Sequence, residues 1–283
     1  ISSDGSWSFD PANAAYNALV KDETQSITVD YTVTDGTGDT GTGSFVITLT
    51  GTNDAPVATF SDNTLAATED GTQLSGQLTA TDADANETFS YQLLGTPIAG
   101  LTINTDGSWT FDPTNTAYQS LAADDTQTIT VDYGVTDSKG AFATNSFAIT
   151  LTGTNDEPVA NAAALVLPSI QEDTTLDISE AQLLAGITDV DAATTLSIVA
   201  DSFSVTTGQA SIAINPNGGW TITPVGDYNG EVSFSYDVSD GTANVAVTST
   251  ATLQVLSVND APVAPTTAPA AFTTEEDTDL TFT

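Results

Sequence analysis

The chain has no cysteine, no histidine and only two basic residues, Lys21 and Lys139, among 283. Without cysteine there are neither disulfides nor thiolate metal sites, which suits a secreted protein that never depends on oxidative folding. Without histidine or cysteine, Zn²⁺ and copper lose their usual donors, and no His-, Cys- or Ser-based constellation for nucleophilic catalysis is present. Against the two basic residues stand 38 acidic ones, a formal net charge of -36. Nucleic acid needs a basic footprint, and so does an anionic membrane surface, so neither is expected as a partner of this segment. Long hydrophobic runs are missing too: no stretch approaches the roughly 18 apolar residues of a membrane span. No signal peptide is visible, and the chain reads as beginning inside a domain. Almost no acid can find a basic partner, so the counter-charge must come from solution or from bound cations. Yet 39% of the residues are hydrophobic and periodically placed, which speaks for folding rather than disorder.

What the chain does have is repetition. "TGTNDAPV" at Thr50–Val57 returns as "TGTNDEPV" at Thr152–Val159 and as "LSVNDAPV" at Leu256–Val263. Asp54, Asp156 and Asp260 mark one period; Asp70, Asp173 and Asp277 in "TEDG", "QEDT" and "EEDT" mark the same one. So do Asp35, Asp137 and Asp240, and the pair "DGSWSFDP" and "DGSWTFDP" at Asp4 and Asp106. All agree on a spacing of about 103 residues, the signature of a tandem array. Proline at the Asn-Asp-x-Pro turns stops a strand and sets an extended link. The expected division is a partial module over 1–55, whole modules over 56–158 and 159–262, and the start of a fourth over 263–283.

Within a module the pattern is strand-like. "SITVDYTVTD" puts Ile27, Val29, Tyr31 and Val33 on one face by period two, and "SFVITLT" and "SFAITLT" do so with Phe45, Ile47, Leu49 and Phe147, Ile149, Leu151. Threonine alternates with them, as on half-buried strands with a wet outer face. Helical signals are short: "AYNALV", "AYQSLA" and "SEAQLLAG", the last with Ser179 as N-cap. About seven short strands per hundred residues predict an all-β chain of tandem Greek-key β-sandwich modules, of immunoglobulin or cadherin type, arranged as an elongated rod. The pairs Trp7/Phe9, Trp109/Phe111 and Trp220/Ile222 recur in register and read as core rather than as sugar-stacking platforms.

The acids also recur in order. An early Glu-Asp (Glu69-Asp70, Glu172-Asp173) is followed by Asp-x-Asp (Asp82/Asp84, Asp189/Asp191), a mid-module acid, an Asp ending a late strand (Asp137, Asp240) and the closing Asn-Asp. Hard cations take six to eight oxygen ligands from carboxylates, amides and carbonyls. Oxygen-only donors select Ca²⁺ or Mg²⁺, and crowded carboxylates favour the larger ion.

These residues resemble a known family. "TDADANETFSYQL", the early Glu-Asp and the Asn-Asp-x-Pro turn look like the calcium motifs of cadherin repeats. "DGSWTFDPTNTAYQSLAADDTQTITVDYGVTDSKG" with "LTGTNDEPV" looks like the VCBS repeats of giant bacterial surface proteins. "EDTTLDISEAQLLAGITDVDAATTLSI" with "PVGDYNGEVSFSYDVSDG" resembles the bacterial cadherin-like modules beside them in RTX-type adhesins. The resemblance implies one to three Ca²⁺ ions at each joint between modules. For the joint between the two whole modules it implies Glu69, Asp70, Asp124 or Asp125, Asn155, Asp156, Asp189, Asp191 and Asp240. For the first joint it implies Asp22 or Glu23, Asn53, Asp54, Asp82, Asp84, Asn86 and Asp137, and for the last Glu172, Asn259 and Asp260. The middle joint alone has every element, so it is expected to hold the most ions. Cadherin linkers carry an Asp two residues before the Asn, where this chain has Gly51, Gly153 and Ser257. In the third module the mid-module acid is Asp227 or Glu231. The implied function is a calcium-stiffened spacer of an adhesin on the bacterial cell surface. Its partners would be the neighbouring repeats of the same chain, with homotypic, host or biofilm contacts made elsewhere in the parent protein. The alternative is a glycan- or cell-binding adhesin module with structural calcium. An enzyme is not expected, because an active site occurs once whereas these acids recur in every module.

Overall fold

A computed structural model describes residues 1–60, 64–242, 246–263 and 273–279. The described residues form strands, turns and two short helical turns. None of the helices is long and apolar enough to cross a membrane. The chain divides into two compact units, Ile1–Pro158 with Thr188–Thr195 and Asp240–Asn244, and the remainder.

In the first unit, a four-stranded sheet runs in the order Thr64–Thr68, Phe142–Thr152, Thr126–Thr136, Ser90–Leu93. Its two long strands form an antiparallel hairpin, while Thr64–Thr68 joins Ala148–Thr152 in parallel. A three-stranded sheet of Leu74–Gln77, Ser108–Phe111 and Leu101–Ile103 supplies the other half of the core. Alternation decides which side chains fill it: Ile129, Val131, Tyr133 and Val135 from one strand, Phe147, Ile149 and Leu151 from the next, and Trp109 and Phe111 from the facing sheet. Trp109 packs on Phe147 with ring centroids 5.2 Å apart. Gly76 is what lets the indole lie flat, since a Cβ there would stand 2.7 Å from the Trp109 ring.

The second unit repeats the plan. The strands Gly230–Ser239 and Ala246–Leu256 pair antiparallel, and Leu165–Val166 and Ile170–Gln171 run parallel to the second of them. Leu176–Ile178, Trp220–Pro224 and Ala210–Ile214 form the other sheet. Trp220 and Ile222 are buried in its core. Ser179 caps the turn Glu180–Leu183 in a full capping box with Gln182, as the sequence predicts. "AYNALV" yields a 3-10 turn at Ala14–Tyr16, and "AYQSLA" turns only.

One expectation about the core is corrected. Trp7 is 56% exposed, and Tyr31 and Val33 are exposed beside it. The hairpin Thr24–Thr34/Thr40–Thr50 matches Thr126–Thr136/Phe142–Thr152 pair for pair. No sheet faces it among the described residues, so its apolar side is covered only by small aromatic contacts such as Trp7–Phe45.

Candidate metal centre

The acids of the first unit gather where strands end. Thr64–Thr68 and Phe142–Thr152 run side by side in parallel, so Glu69 leaves one strand beside Gly153 and Thr154 leaving the other. Glu69 is 1% exposed; its Oε2 accepts from Thr154 N–H (3.2 Å) and its Oε1 from Gln119 Nε2 (3.4 Å). Asp70, in a left-handed backbone at φ 56°, accepts from the same amide at 3.0 Å. Asp124 N–H donates to Gly153 O and Gly153 N–H to Asp125 O, which clasps the mid-module acids to the strand end. Gly153 has to be glycine, because a Cβ would lie 2.3 Å from Ala122 O and 2.4 Å from Leu121 O. Gly51 meets the same obstacle at Val20 O and Leu19 O. The missing linker aspartate is therefore excluded by packed backbone at both positions.

Asn155 and Asp156 complete the group. Asn155 Nδ2 donates to Asp156 O (2.9 Å) and to Asp240 Oδ2 (2.7 Å). Asp156 N–H donates to Asp191 Oδ2, and Asp191 N–H to Asp189 Oδ1, both at 2.9 Å. One oxygen of Asp191 and one of Asp189 are thus tethered. Their second oxygens, Asp191 Oδ1 and Asp189 Oδ2, are buried without a partner, and so is Asp156 Oδ2. Orphaned buried oxygens are uncommon in folded proteins and mark an unfilled demand for a donor or a cation. Burial raises the pKa of Glu69, Asp156 and Asp191, and neighbouring carboxylates raise it further: Asp156 beside Glu69, Asp70 beside Asp156, Asp189 and Asp125 beside Asp191. Asp240 goes the other way. Burial pushes it up, but donors from Asn155 and Thr242 outweigh that and hold it low.

The group around Asn53-Asp54 is built alike. Asn53 Nδ2 donates to Asp54 O and Asp137 Oδ2, each at 2.8 Å, and Asp54 N–H donates to Asp84 Oδ2 at 2.9 Å. Asp84 N–H donates to Asp82 Oδ1, leaving Asn53 Oδ1, Asp82 Oδ2 and Asp84 Oδ1 buried and unpartnered. Asp22 and Glu23 clasp Gly51 as Asp124 and Asp125 clasp Gly153. Asn86 is exposed, with φ 61°, and makes no hydrogen bond to the group. No counterpart of Glu69 stands here among the described residues. The one ion pair among the described residues, Lys139–Glu87 at 3.8 Å, lies one residue beyond Asn86.

In the second unit Glu172 accepts from Val258 N–H and from Asn229 Nδ2. Asn259 Nδ2 donates to Asp260 O at 3.3 Å. The carboxylates of Asp173, Asp227 and Asp260 come within 4.8 Å of one another. Of these, Asp173 was not among the ligands drawn from the resemblance, although it sits on the period, and Asp227 was offered only as an alternative to Glu231. Asp227 has φ 56°, as Asp22 (65°) and Asp124 (66°) do at the matching positions, so the mid-module acid is Asp227. Glu231 lies instead on the strand Gly230–Ser239 and accepts from Ser233 Oγ.

Residues 53–153 match the model of the bacterial cadherin-like domain, and residues 154–256 that of the cadherin-like domain. No curated protein sequence matches significantly. Among solved structures, mouse cadherin-23 repeats EC22–24 align at 14% identity and a TM-score of 0.48, over 82% of this chain and 74% of that one. The protocadherin gamma-B4 extracellular domain aligns at 18% identity and a TM-score of 0.40, over 82% of this chain and 40% of that one. The human desmocollin-1 ectodomain aligns at 18% identity and a TM-score of 0.33, over 80% of this chain and 47% of that one. The chain thus spans less than half the length of the last two. Residues 53–256 are two consecutive cadherin-like domains, the first of the bacterial cadherin-like kind.

Proposed function

We propose that these acid groups bind Ca²⁺ at the joints of a tandem array, and that the chain is a calcium-stiffened spacer of a large bacterial surface adhesin of the VCBS/RTX type. One observation carries the reading: carboxylates tethered through one oxygen leave the other buried and unpartnered, at Asp84 and again 107 positions on at Asp191. Turn-capping alone uses the first oxygen and gives no role to the second. Glu69, Asp156, Asp189 and Asp191 would hold the ion in the middle group, with Asp54, Asp82, Asp84 and Asn53 doing so in the first. The absence of His and Cys leaves only oxygen donors, which suit Ca²⁺. The exclusion of a linker side chain at Gly51 and Gly153 favours the lower end of one to three ions per joint. A bound divalent ion cancels repulsion among carboxylates and turns a pliant link into a stiff one.

Small-angle scattering tests the spacer role. In millimolar Ca²⁺ the maximum dimension should exceed that in EDTA and vary less, with far-ultraviolet circular dichroism unchanged. Equal dimensions in both would remove the ions from control of the joints. The ligand assignment makes a second expectation. Asp191→Ala should cost more calcium affinity than Asp84→Ala, because the middle group also holds Glu69 and Asp70. Equal losses in calorimetric titrations would refute that ranking.

A further inference from the structure

We infer that Gln119 is a positioning residue for the acid pair Glu69–Asp70, its uncharged amide holding both carboxylates in place without competing for the cation they serve. This rests on the calcium reading above. Two adjacent carboxylates with no basic residue near them repel, and one of them, Glu69, is 1% exposed. A single amide nitrogen answers both, at 3.4 Å to Glu69 Oε1 and 3.0 Å to Asp70 Oδ1. The residue before it fixes the amide in space. Tyr118 is 4% exposed, its hydroxyl donates to Ala99 O at 2.7 Å, and its ring packs on Phe111 at 5.5 Å.

The second domain places a shorter amide on the Glu of its pair alone. Asn229 follows Tyr228, whose hydroxyl donates to Glu231 O at 2.7 Å, and the Asn229 amide donates to Glu172 Oε2 at 3.4 Å. Asn17 follows Tyr16 at the matching place 102 residues before Gln119. The chemistry explains the choice of an amide. A lysine would satisfy the same oxygens but neutralise them, and the site would carry its own cation. An aliphatic side chain would leave the pair to splay apart. An amide orients both acids and leaves their charge intact for a metal.

Calorimetric calcium titration of the full chain, with melting in EDTA alongside, tests this. Gln119→Leu should weaken the tightest class of sites by about tenfold, the size of effect seen when partners of metal ligands are removed, whereas Gln119→Asn should stay within about twofold. Gln119→Lys should delete those sites from the isotherm and raise the melting temperature in EDTA. A purely structural glutamine would lower melting equally with and without calcium and leave the affinity alone. Unchanged affinity in Gln119→Leu, or a loss in Gln119→Asn as large as in Gln119→Leu, overturns the inference and leaves the calcium reading standing. A parent chain that gives no heat of calcium binding overturns both.

Discussion

In a hundredfold excess of Ca²⁺ over its dissociation constant, the chain should melt at least about 10 °C above its temperature in EDTA. An ion that binds only the folded state contributes about 2.7 kcal/mol per site at that excess. About 1 kcal/mol moves the melting temperature of a hundred-residue domain by about 4–8 °C. Dissociation constants of roughly 10⁻⁴–10⁻³ M, usual for extracellular modules, put the required calcium in the range of tens of millimolar. The pH response in EDTA carries a second signature. Glu69, Asp156 and Asp191 have folded-state pKa values raised above their unfolded ones, by burial first and by neighbouring carboxylates such as Asp70 and Asp189 second. Such groups contribute stability that is full below the unfolded value and lost as pH rises through the folded value. Burial pushes Asp137 and Asp240 up, but their donors together outweigh it and hold both low, so they contribute stability that is lost as pH falls below the ordinary aspartate range. The metal-free chain should therefore gain stability as pH falls from neutral towards about 4 and lose it again below. Melting scans across pH, with and without calcium, check both signs. Identical temperatures in Ca²⁺ and EDTA would end the metal reading.

Gly153→Ala should destabilise its domain by about 3 kcal/mol or more, the upper range of overpacking, and lower its melting temperature by about 12 °C or more. The added carbon would lie 2.3 Å and 2.4 Å from two backbone carbonyl oxygens, neither of which can swing aside like the tip of a side chain. The hydrogen bonds from Asp124 N–H and to Asp125 O tie those same segments together, so relieving the clash breaks them. Gly41→Ala is the control. Its Cβ would meet nothing within 4 Å, and it should be neutral within about 0.5 kcal/mol. A Gly153→Ala chain that melts with its parent would show that the strand end yields more than its packing implies.

The period-two alternation of Phe147, Ile149 and Leu151 was readable because burial on one face leaves a direct imprint on residue choice. The recurrence of Asn-Asp and Asp-x-Asp was readable for a similar reason, since each local turn uses its own short-range hydrogen bonds. Pairings across 84 or 85 positions, such as Asn53 with Asp137 or Asn155 with Asp240, have no local imprint and came only as an implication of the resemblance. Gln119 and Asn229 were missed outright, because one amide among many carries no pattern until its partners are in view. Asp227 was left level with Glu231, and the backbone separates them: a left-handed φ belongs to the turn and an extended one to the strand. Trp7 shows the converse, where a repeat position predicts burial that only a facing sheet can deliver.

The parallel pairing of Thr64–Thr68 with Ala148–Thr152 has a mechanical consequence. Under tension along a tandem array, once the short strand Val57–Thr59 ahead of it yields, the load on this domain falls on Thr64–Thr68 at one end and on Phe142–Thr152 at the other. Because the two strands run the same way side by side, opposed pulls load their hydrogen bonds along the strand axis. The whole ladder must then slide at once, instead of opening one bond at a time from an end. Leu165–Val166 and Ile170–Gln171 run parallel to Ala246–Leu256 in the same manner, so a pull along the array would load this seam too in shear. Glu69 sits where the first strand of its ladder ends and accepts from Thr154 just past the last, so a metal held there would act as a clamp on the seam that force must break.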